Sequence, residues 1–179
     1  MNYTWRYKTP DSYSDVLMRS DGQFLNGLWF EGSRDSSKHI ADSEEQFLDI
    51  FRETSEWLNI YFGGRNPEFT PEYRIEALSD FRAEVVEEML KIPFGSLITY
   101  GDIAEIIADR RGIDKMSSRA VGGAVGWNPI CIIIPCHRVI GTGGSLTGYG
   151  GGIKNKIALL KNEGHDMSNF TVPVRGTAL

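Results

Sequence analysis

The stretch Ile130-Cys131-Ile132-Ile133-Ile134-Pro135-Cys136-His137-Arg138-Val139 decides how this chain is read. Its five apolar residues, bounded by Asn128-Pro129 and Pro135, have the length and composition of a buried strand. That strand delivers Cys136 at its end, with His137 and Arg138 beside it. A cysteine so placed is a candidate for an activated thiolate. Buried cysteines are also often plain small hydrophobes, and Cys131, enclosed by isoleucines, suits that role better. Side chains alternate along a strand. Cys131 and Cys136 are therefore expected on opposite faces, with no disulfide between them. By the same alternation His137 cannot bond the Cys136 sulfur directly, so a bridging water or a local kink is needed.

Downstream, residues 141–152 hold seven glycines in twelve. Gly141 and Gly143 begin a dinucleotide-type motif, but Leu146 stands where its third glycine belongs, and Lys154 follows Ile153 without a phosphate-loop pattern. Glycine here is better read as letting backbone approach a ligand closely. Cys131, Cys136 and His137 lack paired metal-ligand spacing, so no metal and no cofactor is expected. His39 and His165 are isolated and read as exposed. A helix over 153–162 turns Ile157 and Leu160 inward and ends at Glu163-Gly164.

Upstream, Ser79 caps a helix carrying Phe81, Val85, Val86, Met89 and Leu90, which Pro93 and Gly95 stop. Thr99 opens the next, with Asp102 completing a capping box and Ile103, Ile106 and Ile107 forming its apolar face. After Arg111-Gly112, Ser117 caps a short helix over 118–125. Helix, break, and a small-residue helix starting with Arg119 outline a helix-turn-helix. On pattern alone this is weak, since any helical hairpin looks similar. Further back, residues 3–8, 13–19 and 24–30 read as strands, the last two joined by an Asp21-Gly22 turn. Ser43 is expected to cap a helix carrying Phe47, Phe51, Leu58 and Phe62, ended by Gly63-Gly64. Residues 65–76, with Pro67 and Pro71, read as a linker.

Length and composition set the frame. The 179 residues, 41% hydrophobic and 24% charged, suit one medium domain or two small ones. No apolar run is long enough to span a membrane. The N-terminus lacks the blocks of a signal peptide, and only two cysteines occur, so a reducing cytoplasm is the expected compartment. The net charge of −5 is unevenly spread. Residues 1–80 carry eight Lys and Arg against fifteen acids, whereas residues 110–161 carry eight against Asp114 alone. A basic segment in an acidic chain points to a polyanion site, or to nothing more than a solvated basic face.

From about Phe81 to Gly164 the chain resembles the O6-alkylguanine-DNA alkyltransferases, the methylated-DNA–protein-cysteine methyltransferase family. The resemblance rests on Ile92-Pro93-Phe94-Gly95, Thr99-Tyr100-Gly101, residues 118–124, Asn128-Pro129, residues 134–139, residues 148–152 and Glu163-Gly164, in that order and spacing. It implies an α/β chain of two domains. Residues 1–76 would form a small ribonuclease-H-like α/β domain and residues 77–165 a mainly helical domain with a helix-turn-helix, followed by a tail at 166–179. The implied reaction moves an alkyl group from O6 of guanine in DNA onto Cys136, once per molecule. By resemblance His137 takes the thiol proton through a water and Glu163 orients His137. Tyr100 donates a proton to the guanine ring. Asn128 ties the helix-turn-helix to the active-site strand.

By the same resemblance Val139 and the Cys136 backbone recognise the base edge, while Tyr149 and Gly150 cover the alkyl group. Arg119 enters the base stack as the nucleotide flips out. Ser118, Ala120, Gly122 and Gly123 belong to the same DNA-binding helix, whose small residues press into the minor groove, where little sequence preference is expected. The partner is alkylated double-stranded DNA, and the protein is expected to be monomeric. Family members often carry serine in place of Gly150, proline in place of Cys131 and a larger residue in place of Val86, so alkyl-size preference is left open. No cysteine precedes Cys131, so the zinc site of some relatives is not expected. Two other classes compete: a damage sensor that binds without transfer, and a cysteine hydrolase, which needs a base facing the sulfur directly.

Overall fold

A computed structural model of the chain describes residues 1–33 and 42–172. The N-terminal part forms a four-stranded sheet whose strands lie in the order Leu25–Phe30, Val16–Ser20, Asn2–Tyr7, Ser43–Glu45. β1 (Asn2–Tyr7), β2 (Val16–Ser20) and β3 (Leu25–Phe30) run as an antiparallel meander. The β2–β3 turn closes as expected, because Asp21 Oδ1 accepts from the backbone N–H groups of Gln23 and Phe24 and Gly22 supplies a φ of +106°. One expectation fails at Ser43. It does not cap a helix. Ser43–Glu45 is a short strand, β4, paired in parallel with β1. The helix α1 (Asp49–Phe62) starts later, behind Leu48, whose side chain makes no cap. Phe47 accordingly lies outside it and stays 48% exposed, packed edge-on against Trp5.

The remaining helices start where their caps are written. Ser79 accepts from Arg82 N–H ahead of α2 (Asp80–Leu90). Thr99 and Asp102 make a reciprocal capping box for α3 (Tyr100–Arg111), which ends on left-handed Gly112. Ser117 caps α4 (Ser118–Gly126) through Ala120 N–H. α5 (Ile153–Asn162) follows the glycine loop. The expected apolar faces are narrower than read: Leu90 and Ile106 are exposed. α2, α3 and α4 pack on one another, and buried Glu88 of α2 binds Arg110 of α3 and Lys91. β5 (Ile98–Thr99) pairs in parallel with β6 (Val139–Ile140), drawing the start of α3 beside the residues after Cys136.

Residues 130–135 are not the expected strand. Ile132 takes a φ of +72°, which folds the run back on itself in a tight turn closed by the Cys131–Ile134 bridge. A β-branched residue in the left-handed region costs about 1–3 kcal/mol. Burial of Ile130, Ile132 and Ile134 offsets that cost. Ile130 still bridges Leu28, with Leu28 N–H donating to Pro129 O and Cys131 N–H to Leu28 O, so the turn is stitched to β3. Cys136–Arg138 then forms a single 3₁₀ turn. The opposite-face argument for the two cysteines and for His137 depended on a straight strand and falls with it.

Residues 72–74, read as linker, also join the sheet edge, where Leu25 N–H donates to Glu72 O and Arg74 N–H to Leu25 O. Buried residues from β2, β3 and α1 belong to the same contiguous core as those from α2, α3, α4 and the 130–139 segment. A smaller cluster of Ile140, Leu146 and Leu160 is covered by Met167 and Phe170. Thr171 N–H donates to Gly144 O and Thr171 O accepts from Leu146 N–H, so the chain past His165 is held as far as Thr171. His165 is part-buried, edge-on to Phe170, and not exposed as read. His39 lies outside the described residues.

Candidate active site

The turn at Ile132 brings both cysteines to one cavity, lined by Cys131, Cys136, Asn128, Tyr149, Gly150 and Trp29 among others. Asn128 ties its floor together. Its Nδ2 donates to Ile134 O at 2.9 Å and its Oδ1 accepts from Ile130 N–H at 3.0 Å. Asn128 lies two residues past the end of α4, and its hydrogen bonds reach into the cysteine turn. The Cys136 thiol is drawn down to about 7. Hydrogen bonding from Cys131 contributes most, with Asn128, Tyr149 and the charge of Lys156 acting the same way against the opposing effect of burial.

Behind the cysteine lies a buried polar cluster. His137 is fully buried, and its Nε2 lies 2.7 Å from Glu163 Oε1. A carboxylate only accepts, so Nε2 carries the hydrogen and Nδ1 is the basic ring atom. Nδ1 makes no hydrogen bond to the described protein. Burial pulls the imidazole's pKa down, outweighing the nearby carboxylate. Arg138 clamps Glu163 through Nε at 2.9 Å to Oε2 and Nη2 at 3.0 Å to Oε1, while its Nη1 donates to Ile92 O at 2.7 Å. Gly95 N–H adds a bond to Oε2. Burial alone would raise the Glu163 carboxyl, but His137 and Arg138 hold it far below the usual carboxylate range.

Sequence reading missed two members of this cluster. Tyr61 of α1 donates to Glu163 Oε1 at 2.7 Å and stands 3.1 Å from His137 Nε2. No local motif marks it, since it sits among the apolar residues of an amphipathic helix. Lys156, counted with the basic excess, is fully buried and donates to Val139 O at 2.6 Å. Its Nζ lies 5.9 Å and 5.8 Å from the ring centres of Tyr100 and Tyr149. Burial lowers it to about 8. Spacing could have found it, for position 156 falls on the inward stripe with 153, 157 and 160. Arg138 is also buried, and Arg110 and Arg111 are paired with Glu84, Glu87 and Glu88. Four of the eight basic residues of the 110–161 segment are thus engaged within the protein. Lys115, Arg119, Lys154 and Lys161 remain exposed.

Tyr100 starts α3, and its hydroxyl donates to Thr147 O at 3.0 Å. Burial, then the charge of Cys136, raise its pKa, so it is held as a proton donor. Val139 is buried beside the cavity and does not line it. On α4, Ser118, Arg119, Ala120 and Gly123 are exposed and lie away from the cavity, whereas a side chain at Gly122 would meet the Tyr100 ring at 3.8 Å. The site therefore has two parts: a thiol cavity and a carboxylate–imidazole couple behind it.

Residues 80–165 match the family model described as 6-O-methylguanine DNA methyltransferase, DNA binding domain. A methylated-DNA–protein-cysteine methyltransferase of Methanosarcina acetivorans is 42% identical over 149 residues, covering 83% of this chain and 91% of that one. The chain belongs to the methylated-DNA–protein-cysteine methyltransferase family. The enzyme of that name from Mycobacterium bovis is 49% identical over 106 residues, a match spanning 59% of this chain and 61% of the relative's length. The Mycobacterium tuberculosis OGT solved in complex with DNA superposes with a TM-score of 0.75 at 34% identity, covering 94% of each chain. The mixed α/β architecture, five helices among the described residues with a small sheet, is thus that of the methyltransferase family. No described helix is long and apolar enough to cross a membrane.

Proposed function

We propose that this protein repairs DNA by moving an alkyl group, methyl in the simplest case, from O6 of guanine onto Cys136. The observation that carries the proposal is the acidified Cys136 thiol in a cavity backed by the His137–Glu163 couple. The thiol proton passes through a water to His137 Nδ1, while Glu163 holds the ring by Nε2–H. The thiolate attacks the saturated carbon on O6. A C–S bond forms, the C–O bond breaks, and the electron pair goes to the guanine. Tyr100 donates its phenolic proton to the ring as charge builds there. The product is a thioether, which no group in the cavity can cleave, so each molecule acts once.

Duplex DNA is the proposed partner, met by the α3–α4 pair as a helix-turn-helix in the minor groove. Support comes from exposed Arg119 at the start of α4, from the small residues after it, and from the related OGT solved with DNA. Arg119 fills the stack while the damaged base swings out to Cys136. Residues 1–76 are proposed as a ribonuclease-H-like unit, 77–165 as the alkyltransferase unit and 166–179 as a tail. The protein is proposed to work as a monomer in a reducing cytoplasm. Val139, Tyr149 and Gly150 would frame the base and its alkyl group.

The test is intact mass after incubation with a duplex carrying O6-methylguanine. Gain of one methyl, located on Cys136 and absent from Cys136→Ala, is the expected result. Unmodified protein bound tightly to the lesion would instead make it a damage sensor.

A further inference from the structure

Tyr61 lies in α1, outside the segment that matches the family model, yet its hydroxyl reaches the centre of the buried cluster. Its ring is packed on several sides. The ring stacks on Trp57 at 5.4 Å and meets Phe94 and His137 edge-on at 5.9 and 6.1 Å. Asn162 Nδ2 donates to its carbonyl at 2.7 Å, fixing α1 to the end of α5. Burial pushes the phenol well above its ordinary pKa, so it stays a donor. Glu163 Oε1 then receives Tyr61 O–H, His137 Nε2–H and Arg138 together. A carboxylate with His137 as its sole partner would draw a proton onto the imidazole. One whose charge is shared among several donors draws it less.

We propose that Tyr61 is a positioning residue for the transfer step: by donating to Glu163 Oε1 it spreads that oxygen's charge and keeps His137 neutral, with Nδ1 as the base. The inference rests on the alkyl-transfer reading for its role, and on geometry for its electrostatics. Among the described residues, the charged and titratable groups acting on His137 are Glu163, Arg138 and Lys156, with Tyr61 3.1 Å from Nε2, Cys136 adjacent in the chain and Tyr13 near Tyr61. Removing the hydroxyl takes a donor from Glu163 Oε1 and a neutral acceptor from beside Nε2–H; the carboxylate charge left unshared is the larger effect, so the proton affinity of His137 rises. A protonated imidazole cannot accept the thiol proton. The acid limb of the transfer rate therefore moves to higher pH.

The experiment is a ¹⁵N imidazole titration of His137 in wild type and Tyr61→Phe, with alkyl-transfer rates measured over about pH 5 to 9. The His137 midpoint and the acid limb should both rise by roughly one unit in Tyr61→Phe, with the plateau rate falling less than tenfold. Unchanged midpoints, or a rate lowered equally at every pH, would overturn the inference. The titration needs no DNA, so a shifted His137 in a protein that transfers no alkyl group would overturn the transfer reading alone. Should Tyr61→Phe fail to fold, 3-fluorotyrosine at position 61 makes a stronger donor and should move the midpoint down; no movement would overturn the proposal.

Discussion

At the residue scale, Cys136 is set apart from Cys131 by what surrounds its sulfur. Both are buried, but hydrogen bonds from Cys131 and Asn128 and the charge of Lys156 favour the thiolate of Cys136. With the thiol at about 7, carbamidomethylation of Cys136 by iodoacetamide, followed by peptide mass, should rise through a midpoint near that pH. Lys156→Met removes a buried positive charge and should move the midpoint upward; an unchanged midpoint would show that Lys156 only props up Val139. Cys136, His137 and Glu163 were legible in the sequence because they lie in the short stretches on which the family resemblance rests. Tyr61 was not, because its role arises from a contact across 102 positions of chain. The burial of Lys156 was hidden by its charge, which outweighed its spacing in the reading.

At the element scale, α3 and α4 were readable from their caps, since Thr99, Asp102 and Ser117 satisfy exposed backbone N–H groups whatever the tertiary context. The apolar run before Cys136 was misread because composition does not reveal a positive φ. Ile132 adopts one because the turn is pinned on both sides, by Asn128 and by β3. That turn is what places two cysteines in one cavity. α4 carries Arg119, the proposed DNA contact, on its exposed face. Arg119→Ala should slow repair in duplex DNA at least tenfold more than reaction with a free O6-alkylguanine base; equal losses on the two substrates, measured as second-order rates, would remove the flipping role. The glycine loop has a tighter constraint. A Cβ at Gly151 would lie 2.6 Å from the Tyr149 ring and 2.9 Å from Phe30. Gly151→Ala should therefore displace Tyr149 and slow alkyl transfer severalfold, visible as a changed rate with an intact fold by circular dichroism.

At the scale of the whole molecule, Glu163 is where the parts meet. It binds Tyr61 from the N-terminal half, Gly95 from the loop after α2, and His137 and Arg138 from the cysteine turn. Glu163→Gln should cost roughly 3–5 kcal/mol in denaturant unfolding, because Arg138 is left buried without its counter-charge. The carboxyl's pKa is depressed on folding, so its contribution is present above about pH 4 and is lost as pH falls further. Acid unfolding should be less steep in Glu163→Gln. The same residue serves stability and the proposed transfer, which explains why the acidic N-terminal half does more than support: its α1 completes the cluster behind the thiol. The central claim is that Cys136 is consumed by the reaction. The most direct measurement is the number of O6-methylguanines repaired per protein with methylated duplex in large excess. The account predicts that repair stops at one per molecule, with Cys136 fully methylated. Continued turnover, with Cys136 recovered as the thiol, would contradict it.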